Sequence, residues 1–205
     1  MPPDAPAART MPTYVLATFN RDKGRELAAL FAAPGRALRF LYEFAGATPP
    51  EETGATLIDN ARIKARSAVA HTGMVSIADD TGLEVDALDG EPGPHAARFA
   101  GPDATYADNV ALLLERLRGV PRARRTARFH SVCIAIDPDG RERVGEGVLE
   151  GVITESPRGV NGFGYDPVFE VVSTGRTLAE MDEDAKNALS HRALAASALS
   201  QRLDE

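Results

Sequence analysis

The sequence predicts an α/β protein: a mixed sheet flanked by helices, elongated into two lobes with a cleft between them. Three observations lead there. Near the start an apolar run feeds a helix through a polar turn; extended and helical segments alternate in the middle; and two long extended runs meet at a tight turn, which makes them antiparallel neighbours in one sheet.

Residues 1–13, MPPDAPAARTMPT, are rich in Pro and Ala and carry no period, so they read as a flexible tail ahead of a single domain over 14–205. Tyr14 to Thr18 read as a buried strand, Phe19 to Lys23 as a turn, and Gly24 to Ala33 as a helix stopped by Pro34-Gly35. Thr56-Leu57-Ile58-Asp59 has the spacing of a capping box, and Ala61, Ala65 and Ala68 then share one helical face beside a polar stripe of Asn60, Lys64, Ser67 and His71. Val75 to Asp79 predict a short strand. Val110, Leu113, Leu114 and Leu117 mark an amphipathic helix ended by Gly119 and Pro121. Arg128 to Asp137 and Glu142 to Ile153 predict long strands joined through Pro138-Asp139-Gly140. Ser156 to Pro167 hold three glycines and two prolines, the composition of a binding loop. Ser190 is placed to cap a last helix with Ala195, Leu199 and Leu203 facing the core.

The 205 residues are 43% apolar and 26% charged, which excludes disordered and collagen-like classes. A chain of this length folds to a radius of gyration of about 17 Å, room enough for a core and a cleft. Twenty-three basic against 30 acidic residues give a net charge of −7, so a nucleic-acid partner is not expected, since that binding rests on clustered Lys and Arg. A small anion remains possible, because screening over about 8 Å lets a local basic pocket overrule distant charge. Cys133 is the only cysteine and sits in the apolar run Val132 to Ile136, which rules out an internal disulfide and thiolate zinc sites and suits a reducing compartment. No apolar stretch approaches the roughly 20 residues of a membrane span, and the N-terminal residues lack a hydrophobic signal core, so no membrane partner and a cytoplasmic location are expected.

Four stretches pair polar residues with loop-forming glycines or element ends, where ligands meet α/β sheets. In Thr18-Phe19-Asn20-Arg21-Asp22-Lys23, backbone N–H groups of the following helix, together with Lys23, can bind phosphate; the same turn also serves as an ordinary strand-to-helix connection. It lacks P-loop spacing. Asp79 and Asp80 follow an apolar strand, so in extended backbone their side chains point to opposite faces and only one enters a given cleft. One of them, with Glu51 or Glu52, can hold Mg²⁺, which commonly takes one or two carboxylates and leaves the remaining positions to water and substrate phosphates. Phe163, between Gly162 and Gly164, offers a ring on which a nucleobase can stack; a buried loop anchor is the competing reading. Asp166, His191 and Arg192 can bond a base edge, and Lys186 can reach base or phosphate; each alone also reads as a salt-bridge partner. His71, His95 and His130 have no metal-ligand spacing.

Taken in order, the stretches VLATFNRDKGRELAALF, EETGATLIDNARIKARSA, ADDTGLEVDALDGEPGPHAARFAG, GFGYDPVF and KNALSHRALA resemble the Ham1-like family of inosine triphosphate pyrophosphatases, from Tyr14 to near Leu203. The resemblance implies a homodimeric α/β enzyme that cleaves the α–β phosphoanhydride of ITP, dITP and XTP with Mg²⁺. It places Thr18, Asn20 and Lys23 on a phosphate-binding turn and Lys64 on a phosphate contact. Glu52 and Asp80 fall on the metal site, with Asp80 also matching the general base. Thr81, Phe163, Gly164, Tyr165, Asp166, Lys186, His191 and Arg192 fall on nucleotide-binding positions. Phe19 departs from the family, which commonly has a small residue there, and puts the geometry of that turn in question; Thr81 replaces the commoner Ser and keeps the hydroxyl. The alternatives are a Maf-like nucleotide pyrophosphatase with another base preference and a nucleotide-binding protein without catalysis.

Overall fold

The computed structural model describes residues 12–203. Of the expected tail, residues 1–11 lie outside the described residues. Thr13, assigned to that tail, instead opens the first strand, β1 (Thr13–Leu16), in register with Ala37 of β2 (Ala37–Phe40). Ala17 and Thr18, expected to extend β1, lie beyond it.

Between these strands runs α1 (Arg21–Phe31), which starts three residues earlier than the expected helix. The reason is Asn20, whose side chain accepts from the N–H groups of Asp22 and Lys23 and caps the helix where the sequence reading saw a turn. The α2 helix (Leu57–Thr72) begins as the capping box predicts: Thr56 accepts from the Asp59 N–H, and Gly73 closes the far end in left-handed conformation. The third strand, β3 (Ser76–Val85), is ten residues long, twice the predicted length. It runs through Asp79-Asp80-Thr81-Gly82 because β5 (Thr126–Ile136) pairs with it antiparallel over its full length. A short β4 (Pro92–Gly93), α3 (Tyr106–Arg116), β6 (Glu142–Ile153), β7 (Phe169–Val171), β8 (Arg176–Thr177), α4 (Glu183–Asn187) and α5 (His191–Leu203) complete the fold. The Ser190 hydroxyl accepts from the Ala193 N–H, as an N-cap does.

The sheet runs β2-β1-β3-β5-β6-β7-β8, with β4 on β3; β1 is parallel to both its neighbours and the other pairings are antiparallel. Its long central strands serve two lobes. At one end they are sandwiched, with Leu27 and Phe31 of α1 and Ala195 and Leu199 of α5 on one side, and Ala61, Ala65 and Ala68 of α2 on the other. At the other end Leu83, Val85, Phe129 and Ile153 meet Leu113 of α3, Leu117 just past its end, and the segment carrying Tyr165, Phe169 and Leu178. Each fully buried Leu or Phe there contributes about 1.5–3 kcal/mol.

The α5 helix lies directly on β6. A Cβ on Gly147 would stand 2.2 Å from the His191 carbonyl oxygen and 2.5 Å from the Ala195 nitrogen, and one on Gly145 would stand 2.3 Å from the Ala195 carbonyl oxygen. Only glycine lets the backbones approach this closely. This contact sets the height of the helix whose first two residues, His191 and Arg192, face the site.

Candidate nucleotide site

The β3 pleat divides the acidic doublet. Ile77, Asp79 and Thr81 share the face toward α1 and α5, while Ala78 and Asp80 share the face toward α2. The Asp79 and Asp80 side chains thus enter different surroundings.

On the α1 and α5 side, six charged groups form an alternating chain. Lys23 Nζ lies 3.5 Å from Asp79 Oδ2, and Arg192 Nε donates to the same oxygen at 3.1 Å. Arg192 Nη1 donates to Glu26 Oε2, Lys186 Nζ donates to Glu26 Oε1, and Lys186 also donates to Asp166 Oδ2, each at 2.5 Å. Burial alone would raise the Asp79 carboxyl, but Lys23, Arg192 and Lys64 outweigh it and hold the group well below the usual carboxylate range. Arg192 is fully buried; Asp79 and Glu26 more than offset its desolvation and keep it charged.

The turn ahead of α1 follows from the same local chemistry. Thr18 Oγ1 accepts from the Asn20 N–H at 3.2 Å, and Asn20 caps α1, so Lys23 emerges in the helix's first turn. Phe19 does not disturb this turn: its ring packs against the α2-side core, away from it, and its φ is not in the left-handed region.

On the α2 side, Lys64 Nζ donates to Asp80 Oδ1 at 2.8 Å and lies 3.7 Å from Glu52 Oε1. Asn60 ties this corner together. Its Oδ1 accepts from the Gly54 N–H at 2.8 Å, fixing the loop that carries Glu52, and its Nδ2 donates to Asp80 Oδ2 at 3.4 Å. Burial would lower the Lys64 ammonium, but Asp80, Asp79 and Glu52 overcome it and raise the group above its ordinary value. Two carboxylates therefore converge on one cationic centre. Among the described residues no cluster of three or more His, Cys, Asp or Glu has metal-binding geometry. A hard divalent ion would find two carboxylate donors here and would take its remaining ligands from water or a bound polyanion, the pattern Mg²⁺ tolerates.

The crevice between the lobes, a cavity of about 80 Å³, is lined by Asn20, Lys23, Thr81, Tyr106, Phe163 and His191 among others, with Gly164, Tyr165, Asp166, Lys186 and Arg192 completing the wall. Thr18, Lys64, Glu52 and Asp80 do not line it; the last three lie on the α2 side, linked to it through Lys23, Asp79 and Lys64. Phe163 is half-buried, with Lys186 Nζ and the Arg192 guanidinium 5.0 and 5.6 Å from its ring centre. Gly162 stands at φ 72°, and a Cβ there would strike Asp166 Oδ2 at 2.1 Å. That carboxylate clasps the loop by accepting from the Phe163 N–H at 2.8 Å, and burial raises its carboxyl against the opposing effect of Lys186. The Tyr165 ring belongs to the core, with its hydroxyl donating to the Ala96 carbonyl at 2.8 Å.

His191 stacks on Phe129 with ring centres 4.4 Å apart, and its Nδ1 is buried with no hydrogen-bond partner. Burial, reinforced by Arg192 and Lys186, pushes the imidazole well below its ordinary value, so the ring is neutral near pH 7. An unpartnered buried polar atom at a crevice wall is a costly arrangement that a ligand can relieve. Sequence reasoning missed Glu26 and Tyr106. Nothing in the helical pattern separates Glu26 from a solvated acid, and Tyr106 belongs to none of the four stretches.

One α/β sheet thus carries an aromatic-lined crevice backed by a buried ion-pair chain on one side and a lysine-bridged carboxylate pair on the other. The Ham1 family model matches residues 14–202, and the chain belongs to that family. It is similar to proteins named dITP/XTP pyrophosphatase from Geobacillus kaustophilus (strain HTA426), 46% identical over 195 residues covering 95% of this chain and 96% of the relative. A protein of the same name from Symbiobacterium thermophilum is 49% identical, covering 92% and 93%. Among solved structures, a HAM1 protein from Coxiella burnetii superposes with a TM-score of 0.85 at 41% identity, covering 95% of this chain and 99% of that one.

Proposed function

We propose that this chain hydrolyses non-standard purine nucleoside triphosphates, ITP, dITP and XTP, to the monophosphate and pyrophosphate, and so clears damaged purines from the nucleotide pool. The observation that carries the reading is the juxtaposition across β3 of two unlike environments. A crevice with Phe163, neutral His191 and buried cations suits a base, and a lysine-bridged carboxylate pair suits a polyphosphate. The names of the relatives support the substrate class.

A triphosphate brings about four negative charges, and unit charges 4 Å apart interact by about 4 kcal/mol at an effective dielectric near 20. Lys23 and Lys64 offset that charge from the two sides of β3. Mg²⁺ is the divalent ion in this reading, held by Glu52 and Asp80; bound there it would neutralise charge on the α–β bridge and its leaving oxygen. Asp80 aligns the attacking water and takes its proton, while Asn60 and Lys64 fix the carboxylate's orientation. At the base end, a donor at His191 Nδ1 or Lys186 pairs with the 6-oxo group of hypoxanthine or xanthine and faces the 6-amino group of adenine unfavourably.

The working unit is one catalytic domain over 14–205, a homodimer in the cytoplasm. The Ham1 resemblance and the lone buried Cys133 support this, and no helix among the described residues is long and apolar enough to cross a membrane. The test is Asp80→Asn assayed by pyrophosphate release, with and without EDTA. The expected fall in kcat is about 10²–10⁴-fold, the usual worth of a general base, with ITP binding retained. Unchanged kcat rejects Asp80 as the base, and equal kcat/KM for ITP and ATP rejects the substrate class.

A further inference from the structure

Tyr106 opens α3, on the lobe opposite α1, and its side chain reaches across the crevice mouth. Its hydroxyl accepts from Asn20 Nδ2 at 2.9 Å and donates to Asp22 Oδ2 at 3.4 Å, so it grips the turn that carries Lys23. Desolvation, opposed by the Asn20 hydrogen bond, raises the phenol above its ordinary value and keeps the hydroxyl a donor. Its ring stands 5.7 Å from that of Phe163 at 37°, inside the roughly 4.5–7 Å range of touching aromatic pairs. The residue is 39% exposed, so its ring is open to solvent on one side.

The two rings differ in how firmly they are held. Phe163 lies between two left-handed glycines, its N–H clasped by Asp166 and its ring met by Lys186 and Arg192. Tyr106 is held by two hydrogen bonds to half-buried partners. The cavity behind them, about 80 Å³, is well below the roughly 300–1,000 Å³ of ligand pockets, so the mouth must widen for a nucleotide. The Phe129 and His191 rings are stacked on each other at the back and leave no gap between them for a base.

We propose that Tyr106 is the second aromatic wall of the base crevice: a purine enters by parting its ring from that of Phe163 and is then held between the two. The inference rests on the nucleotide reading above and adds the residue that closes the site from α3.

The chain contains no tryptophan, so Tyr106→Trp provides a single fluorescent reporter at this wall. Titration with inosine monophosphate is expected to quench its emission saturably. In parallel, pyrophosphate release from ITP with Mg²⁺ is measured for wild type, Tyr106→Phe and Tyr106→Ala, with circular dichroism confirming their fold. Loss of the stacking wall is expected to raise KM by about tenfold or more in Tyr106→Ala, with kcat within about threefold, whereas Tyr106→Phe keeps KM within about threefold. A KM for Tyr106→Ala within about twofold of wild type overturns the proposal. So does unquenched Tyr106→Trp emission when equilibrium dialysis shows the nucleotide bound. Wild type that releases no pyrophosphate from ITP defeats the enzymatic reading instead, and the dialysis-checked titration then decides for or against Tyr106 by itself.

Discussion

Glu26→Gln removes one charge from the buried chain Lys23–Asp79–Arg192–Glu26–Lys186–Asp166, in which three cations face three carboxylates. The variant leaves three cations facing two. Breaking a buried ion pair by neutralising one partner typically destabilises by about 3–5 kcal/mol. Here Arg192 keeps Asp79 and Lys186 keeps Asp166, which places the effect at the lower end, about 3 kcal/mol. For a domain of this size about 2–4 °C of Tm accompanies each kcal/mol, so the melting temperature should fall by about 6–12 °C. Urea unfolding should show a lower midpoint with unchanged slope. Glu183→Gln, on an exposed acid of α4, is the control and should stay within about 0.5 kcal/mol. A Tm within about 2 °C of wild type for Glu26→Gln would mean that these six groups are loosely solvated and refute their reading as a tightly coupled buried ion-pair chain.

Gly147→Ala should destabilise by at least the roughly 1–3 kcal/mol of an overpacked core, because its methyl meets the backbone of α5, and should raise KM for ITP as His191 and Arg192 shift. Calorimetry and steady-state kinetics check the two effects, and an unshifted Tm would show that the helix yields freely. Stability should also fall as pH drops below about 6.5, by up to about 1.4 kcal/mol per unit, because the unfolded chain protonates His191 there while the folded one, with its imidazole pKa lowered by burial, does not. His191→Gln should flatten that slope in urea melts between about pH 7.5 and about pH 5, and an identical slope in the variant would assign the dependence to other groups.

The periodic features were readable: the Thr56 cap and its alanine face, the hairpin at Pro138-Asp139-Gly140, and the opposed aspartates all follow from local spacing. The length of β3 was not, because Asp79-Asp80-Thr81-Gly82 has no apolar period and becomes strand through pairing with β5, about 50 residues away. The start of α1 carries a local signal, since Asn20 is a strong N-cap residue, but Asn is equally at home in a turn and the polar run Asn20 to Lys23 does not separate the two. Glu26 was invisible for a different reason. Its burial depends on Lys186 and Arg192, 160 and 166 positions further on, and no local pattern carries that information. The short β2, β7, β8 and α4 likewise owe their form to neighbours more than to propensity.

Odd positions of β3 look toward one chamber and even positions toward the other, so the strand behaves as a partition with a parity rule. Deleting or inserting one residue ahead of Ile77, so that the strand slips by one against β5, would hand Asp80 to Arg192 and Asp79 to Lys64, and would drive Ile77 out of its own core. The surface loops of such a protein can drift in length over evolution, but this one strand cannot change its count by an odd number.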